Sequence, residues 1–314
     1  MFTFQASIPF RIRASSTGRT LIALAQLSII VLTPPAALLQ PVVGQGPGPL
    51  CDSIRAFTLY CIGGDVVSQE WRRWIMVVLL CVIASGWRPR WTSVPHAWIC
   101  LSLGMSISLP DGGDQVARIV GLLLIPLALV DDRRWHWGTS SQPLRPFAGG
   151  AASAFIIAIR IQVAAIYLNS AIAKFGTDAW VDGSAEYYYV RSLMFGASGW
   201  IGAVMLEVTK VPLLVASLTW GAIVIEIAIA VLILGPAKWR RWAVLADLLL
   251  HGFIVLTIGL WSFAGVMVGT VLIAASASAS ESSDRTSQTI RERLWRFAKS
   301  LRVRRRSPVA GGPE

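Results

Sequence analysis

The sequence predicts an all-α protein: a polytopic transmembrane helical bundle of about eight spans, at ~20 residues per crossing of a bilayer core. Two observations predict it. Hydrophobic residues make up 54% of the 314-residue chain and charged residues only 14%, against about 25% charged in an ordinary soluble domain. The net charge is +11, and Lys and Arg gather between the apolar runs and in the two tails. That is the positive-inside pattern of a multi-pass cell-membrane protein. In a soluble chain such a charge would suggest nucleic acid. Here the expected partner is the lipid bilayer, and no nucleic-acid partner is expected. Four cysteines without CxxC spacing exclude zinc-ribbon and thioredoxin-like motifs, and GxSxG and GxxxxGK[ST] runs are absent.

A basic start (residues 1–19, with Arg11, Arg13 and Arg19) precedes the apolar run Leu21–Leu39, which Pro34 and Pro35 break near its far end. A cleaved signal peptide would share the basic start and Ala36–Ala37, but the later spans favour an uncleaved anchor. Gln40–Glu70 is a Gly/Pro-rich outer loop in which Cys51 and Cys61 are either bridged or free. Spans at Trp71–Gly86 and Trp91–Leu109 follow, separated by Arg88 and Arg90 on the inner side. His96 reads as a satisfied anchor, not a ligand. The outer turn Pro110–Asp114 leads to a span over Gln115–Val130, and Asp131–Arg134 with Trp135 and Trp137 mark the inner interface.

The next helix begins near Ala151 and carries Arg160, Gln162, Asn169 and Lys174. Ser170, Tyr167 and Arg160 lie four, seven and fourteen residues before Lys174, so these polar groups share one stripe of an otherwise apolar helix. A cation in a bilayer costs at least ~2.5–3.5 kcal/mol, so the stripe faces other helices or a wet cavity. This helix runs from inside to outside, with Lys174 near the outer surface. Glu186–Trp200, with Tyr187 and Tyr188, reads as an external interfacial helix. Val211–Leu234 returns inward with Glu226 as its single charge, and Lys238, Arg240 and Arg241 mark the inner face. The apolar run Trp242–Ala275 is too long for one helix at ~1.5 Å per residue across ~30 Å, and it divides near Gly259–Gly265. The transmembrane domain thus covers residues 20–275. A low-complexity linker (276–288) and a basic amphipathic cytoplasmic tail (289–314) follow, the tail carrying Ile290, Leu294, Phe297 and Leu301 on one face.

Two chemical readings stay open for Lys174. It is a snorkelling lysine held by Asp178, Asp182 or Glu186, or it is a desolvated amine able to act as a base. Glu226 needs a partner within its span, and Arg160 at comparable depth is the expected one, as a structural ion pair. Asp247 and His251 are four apart on one helix face, so the carboxylate can orient the imidazole, and no metal site is expected because a third ligand is missing.

The run AIYLNSAIAKFGTDAWVDGSAEYYYV, with Lys174, Trp180, Gly183 and Tyr187–Tyr189, resembles the HTTM domain that membrane proteins share with the vitamin K-dependent γ-carboxylases. DGGDQVARIVGLLLIPLALVDDRRWHW, TWGAIVIEIAIAVLIL and HGFIVLTIGLWSF place the likeness in the sporulation-delaying protein B (SdpB) branch. The resemblance covers roughly Thr20–Ala275 and implies catalytic roles for Lys174, the family's lysine position, and for His251. A substrate site follows at Tyr167, Trp180, Asp182, Glu186, Tyr187 and Tyr188. It further implies maturation or export of a secreted, antimicrobial-type peptide beside a small SdpA-like partner. The alternatives are a carboxylase-like membrane enzyme with a reduced quinone as cofactor, and a non-catalytic transporter or immunity protein. The quinone reading lacks the large external domain that would grip a protein substrate.

Overall fold

The structure, a computed structural model, describes residues 13–41, 48–138, 146–193, 195–196 and 198–276. The expected linker, the amphipathic tail and most of the basic start lie outside them. Long helices form where apolar residues run without a helix breaker: α1 (Arg13–Leu32), α3 (Gln69–Ser85), α4 (Pro89–Ser106), α5 (Gly112–Leu129), α6 (Pro146–Lys174), α10 (Pro212–Leu234), α11 (Ala237–Ile258) and α12 (Trp261–Ala275). Short helices fill the connections: α2 (Pro35–Leu38), α7 (Asp178–Val181), α8 (Ala185–Val190) and α9 (Gly199–Val208). No named strand occurs among the described residues. An isolated bridge pairs Trp87 with Trp135.

Five helices (α1, α5, α6, α10 and α11) are long and apolar enough to cross a membrane. The other three expected spans fall short for visible reasons. α3 opens with Glu70, Arg72 and Arg73, and α4 carries Arg90 and His96 among hydroxyl residues. α12 has 15 residues. It is nevertheless the centre of the bundle, packed against α1, α5, α6 and α11, and a helix apolar on all faces belongs in such a place. The break expected near Gly259–Gly265 falls at Gly259, whose φ of 83° ends α11. α12 meets α1 through small residues. A Cβ on Gly18 would lie 2.2 Å from the Gly269 carbonyl oxygen, and one on Gly265 would lie 3.0 Å from Ala25 Cβ. Glycines at this contact let two backbones approach as in small-xxx-small packing.

The bundle has two ends. One carries the start of α10, the end of α6 and the loop 48–68, where Cys51 and Cys61 are bridged. Arg72 secures that loop by donating to the carbonyls of Tyr60 (2.8 Å), Ile62 (2.8 and 3.1 Å) and Gly64. The opposite end holds Arg88, Arg133, Arg134 and Arg240. There Arg133 pairs with Asp131 at 2.6 Å, and the backbone of 86–88 joins that of 134–136. Gly86 is required at this junction: its φ is 84°, and a Cβ would lie 2.2 Å from the His136 ring.

Three sequence expectations change in detail. His96 is buried at 2% exposure, with its Nε2 3.2 Å from Gln26 Oε1. The interfacial helix expected over Glu186–Trp200 stops at Val190, and a new helix starts at Gly199. Glycine is the reason: Gly196 turns back to the Ser192 carbonyl at 2.8 Å, and Gly199 has φ 62°. The expected Arg160–Glu226 pair is also replaced. Arg160 donates to the carbonyls of Ala274 (2.8 Å) and Ser276, and Arg240 reaches Ser276 at 3.2 Å. Two guanidiniums thus satisfy the C-terminus of α12 and complement its dipole. Arg160 lies fourteen residues, about 21 Å, along α6 from Lys174, and Glu226 is level with Lys174.

Two outcomes follow from this architecture. In a background without free cysteines, Ala179→Cys should be modified by an impermeant thiol reagent on intact cells, and Lys238→Cys should not. Labelling at 238 would overturn the assignment of the arginine-rich end to the cytoplasm. His136 supplies a pH test. Burial, then Arg19 and Arg133, hold its imidazole down at about 4 from 6.5, with Asp131 partly offsetting them. The unfolded chain therefore takes up the proton first, and stability present above about 6.5 is lost as pH falls toward about 4. Melting in detergent between pH 7 and 5 should show this decline, and His136→Gln should flatten it.

Candidate functional site

The polar stripe of α6 faces α10 and α11. Lys174 Nζ lies 2.7 and 2.8 Å from the two oxygens of Glu226 and 2.9 Å from Ser170 Oγ. Ser170 Oγ also donates to Glu226 Oε1 at 2.9 Å. Trp180 covers the ammonium, its ring centroid 5.0 Å away. Both side chains of the pair are largely buried, at 17% and 10% exposure. In the low dielectric of a bundle such a pair holds only with further hydrogen bonds. Ser170 and Trp180 provide them, through a hydroxyl and a π face.

The geometry around the pair follows from helix lengths. α6 ends at Lys174, level with a residue fourteen positions into α10, so Lys174 lies well below the start of α10 instead of near the surface. α7 and α8 fill the space left beside the first turns of α10. Trp220 Nε1 donates to the Trp180 carbonyl at 3.2 Å, and the Glu186 amide donates to Thr219 Oγ1 at 3.2 Å. Gly183, at φ 83°, would with a Cβ lie 3.1 Å from Ala216.

Beneath this roof is a cavity of about 460 Å³. Its polar end is Lys174, Glu226 and Glu186, its aromatic wall Trp180 and Tyr189, and its apolar floor comes from α11, including Leu250 and Phe253. Burial pushes the Glu186 carboxyl above its usual range, and Lys174 draws it partly back. A mostly apolar cavity with a few convergent polar groups is the usual form of a small-ligand or segment-binding site.

A second cluster joins the same stripe. Tyr167 donates its hydroxyl to Asp247 Oδ1, and His251 Nδ1 lies 2.9 Å from the same oxygen. Asp247 is fully buried, and its Oδ2 has no partner. The Tyr167 and Phe263 rings flank the imidazole.

The structure therefore brings Lys174, Trp180 and Glu186 together at the cavity and sets Tyr167 and His251 beside it. It does not bring in Asp182, Tyr187 or Tyr188. Asp182 is exposed and accepts from the Ser184 amide and hydroxyl at 2.8 and 2.6 Å, which hold its carboxyl below the usual range. Tyr187 lies under the Arg191 guanidinium at 3.6 Å, with Tyr188 against its edge. The loop acids expected to hold Lys174 yield to Glu226. Sequence reasoning also missed Tyr189 as the cavity-facing tyrosine. The signal was present, since Tyr189 is nine residues from Trp180 in two short helices, but the turn at Gly183 hides the relation. Among the described residues no three His, Cys, Asp or Glu side chains stand close enough to hold a metal ion.

No family model matches the chain, and no solved structure matches it. It is 33% identical over 263 residues to the uncharacterised protein YitO of Bacillus subtilis (strain 168), covering 82% of each chain. It is 30% identical over 225 residues to the sporulation-delaying protein SdpB of the same organism, covering 71% of this chain and 69% of SdpB.

The pair sets a stability test. Lys174→Gln and Glu226→Gln should each lower the melting temperature and folded yield, since stranding one partner of a buried pair costs ~3–5 kcal/mol. The double replacement should recover part of the loss. Additive damage would show that the two side chains do not depend on each other.

Proposed function

The chain belongs to the SdpB family, and from that membership we propose that it takes part in the maturation or export of a secreted, antimicrobial-type peptide. The reading places the working centre at Lys174, inside the bundle beneath the roof helices α7 and α8. One observation carries it: a lysine and a glutamate share a proton-bearing contact at the polar end of a mostly apolar cavity. In this reading an apolar peptide segment with a polar group at its end enters the cavity, the aromatic wall of Trp180 and Tyr189 holds it, and Lys174 exchanges a proton with that polar group. Glu226 takes up or returns the proton through its two short contacts with the ammonium. Trp180 and the roof helices exclude water from the exchange. A small partner protein acting beside the chain belongs to the same proposal.

A second reading has one observation of its own. The flat aromatic wall and the apolar α11 surface around Leu249, Phe253, Ile254 and Ile258 also suit a ring with a hydrocarbon tail. A reduced quinone would suit this lining: Lys174 and Glu226 would hold its polar end, and Trp180 and Tyr189 its ring. When bound, such a group would supply reducing equivalents, as in the HTTM and carboxylase-like resemblance. Native purification with mass spectrometry of the co-purified molecules separates the two readings: a peptide supports the first and a quinone the second.

Lys174→Arg tests the centre directly. Arginine retains the charge and the contact with Glu226 but does not release its proton. Peptide maturation should fall by about 10²–10⁴-fold, the usual contribution of a positioned acid–base group, with protein level and labelling topology unchanged. Full activity in Lys174→Arg would rule out proton transfer at this residue and leave a binding site.

A further inference from the structure

A second cavity, of about 400 Å³, lies under the disulfide loop and shares no lining residue with the one at Lys174. The end of α4 and the start of α5 form its walls, and Gln40 and Arg55 reach it from the loops. Arg118 is its central group. It stands six residues into α5, about 9 Å along a membrane-spanning helix. Its stem crosses α4 at Gly104, where an added Cβ would lie 3.6 Å from Arg118 Cβ and Cδ. Arg118 thus packs over α4 at Gly104 and lines the cavity.

Among the described residues Arg118 has no hydrogen-bond or ion-pair partner. The nearest acid on its helix face, Asp114, is spent in a capping box: it accepts from the Asp111 amide at 3.1 Å, and Asp111 accepts in return at 2.9 Å. Arg55 has one long contact, 3.7 Å to the exposed Asp52. No carboxylate lines the cavity, and Gln40 and Gln115 line it beside the two arginines. A cation within a span is costly without a counter-charge, and none is provided here among the described residues.

We propose that this cavity binds a phosphate monoanion, the headgroup phosphate of a phospholipid, on Arg118 and Arg55. The guanidinium fork matches two phosphate oxygens, and the glutamine amides complete a set of donors. The depth of Arg118 suits a side chain that rises from the apolar region to headgroup level. Free inorganic phosphate presents the same oxygens, so the experiment must separate the two sources.

Full-length protein, delipidated in dodecyl maltoside, would be titrated with phosphatidylglycerol and, separately, with inorganic phosphate, with native mass spectrometry as the readout. The expected result is one retained phosphatidylglycerol per chain, weakened by about tenfold or more in Arg118→Gln. Arg55→Gln should give a smaller loss, and Arg118→Lys an intermediate one, because it keeps the charge without the fork. Arg55→Gln alters an exposed loop and keeps the fold, so a folding defect in Arg118→Gln alone would leave the test intact. Phosphate that binds with the same arginine dependence while lipid does not would keep the anion site and overturn the lipid source. Equal retention of lipid and phosphate by the parent protein and both glutamine variants would overturn the proposal.

Discussion

The constraint on which the structure depends is that a charge inside an apolar bundle must be met there. Water is absent, and an unmet ionic group costs several kcal/mol. Several buried cations have therefore become joints between elements. Lys174 and Glu226 fix the register of α6 against α10. Arg160 and Arg240 close the end of α12. Arg72 holds the disulfide loop over α3 through four carbonyl contacts. Removing the apolar residues between these joints would loosen the bundle, whereas removing a joint would leave a charge stranded.

The same constraint explains how the cavity is built. Because Glu226 is fourteen residues into α10, pairing with it draws the end of α6 down into the bundle. The chain then needs two short helices to climb beside α10, and these become the roof that carries Trp180, Glu186 and Tyr189 over the pair. The small-residue contact between α1 and α12 works at the opposite level of packing. It brings the first and last helices of the bundle together through glycines, with a side-chain hydrogen bond from Trp261 Nε1 to Ser28 Oγ at 3.1 Å, and closes the bundle around a central helix of 15 residues.

Much of this was legible in the sequence. The apolar runs located the long helices, Pro34 and Pro35 ended the first, and Gly259 divided the last pair because a left-handed residue stops a helix. The stripe of Arg160, Tyr167, Ser170 and Lys174 was readable from helical spacing alone. Partners were not readable, because periodicity gives the face of a helix and not its depth against a neighbour. Arg160 and Glu226 are expected at comparable depth, but α6 ends at Lys174 beside Glu226, fourteen residues into α10, which leaves Arg160 about 21 Å away. The disulfide at Cys51–Cys61 and the His96–Gln26 contact also join separate elements, and no local pattern announces such contacts.

The polar stripe also bears on why this region is a site and not a structural belt. An ion pair can be replaced by packed apolar residues without loss of stability, so a buried pair by itself argues weakly for a stabilising role. Here the pair is accompanied by Asp247, fully buried with one oxygen unpartnered, and an unmet buried acceptor costs roughly 1–3 kcal/mol. Tyr167 and His251 converge on its other oxygen, so the cluster is arranged and not left over. Two acid-containing clusters on one face of α6, next to a cavity, make a poor solution for stability alone. They make a sensible one if protons have to be held and moved beside a bound apolar ligand, the use that the proposed function gives to Lys174 and Glu226.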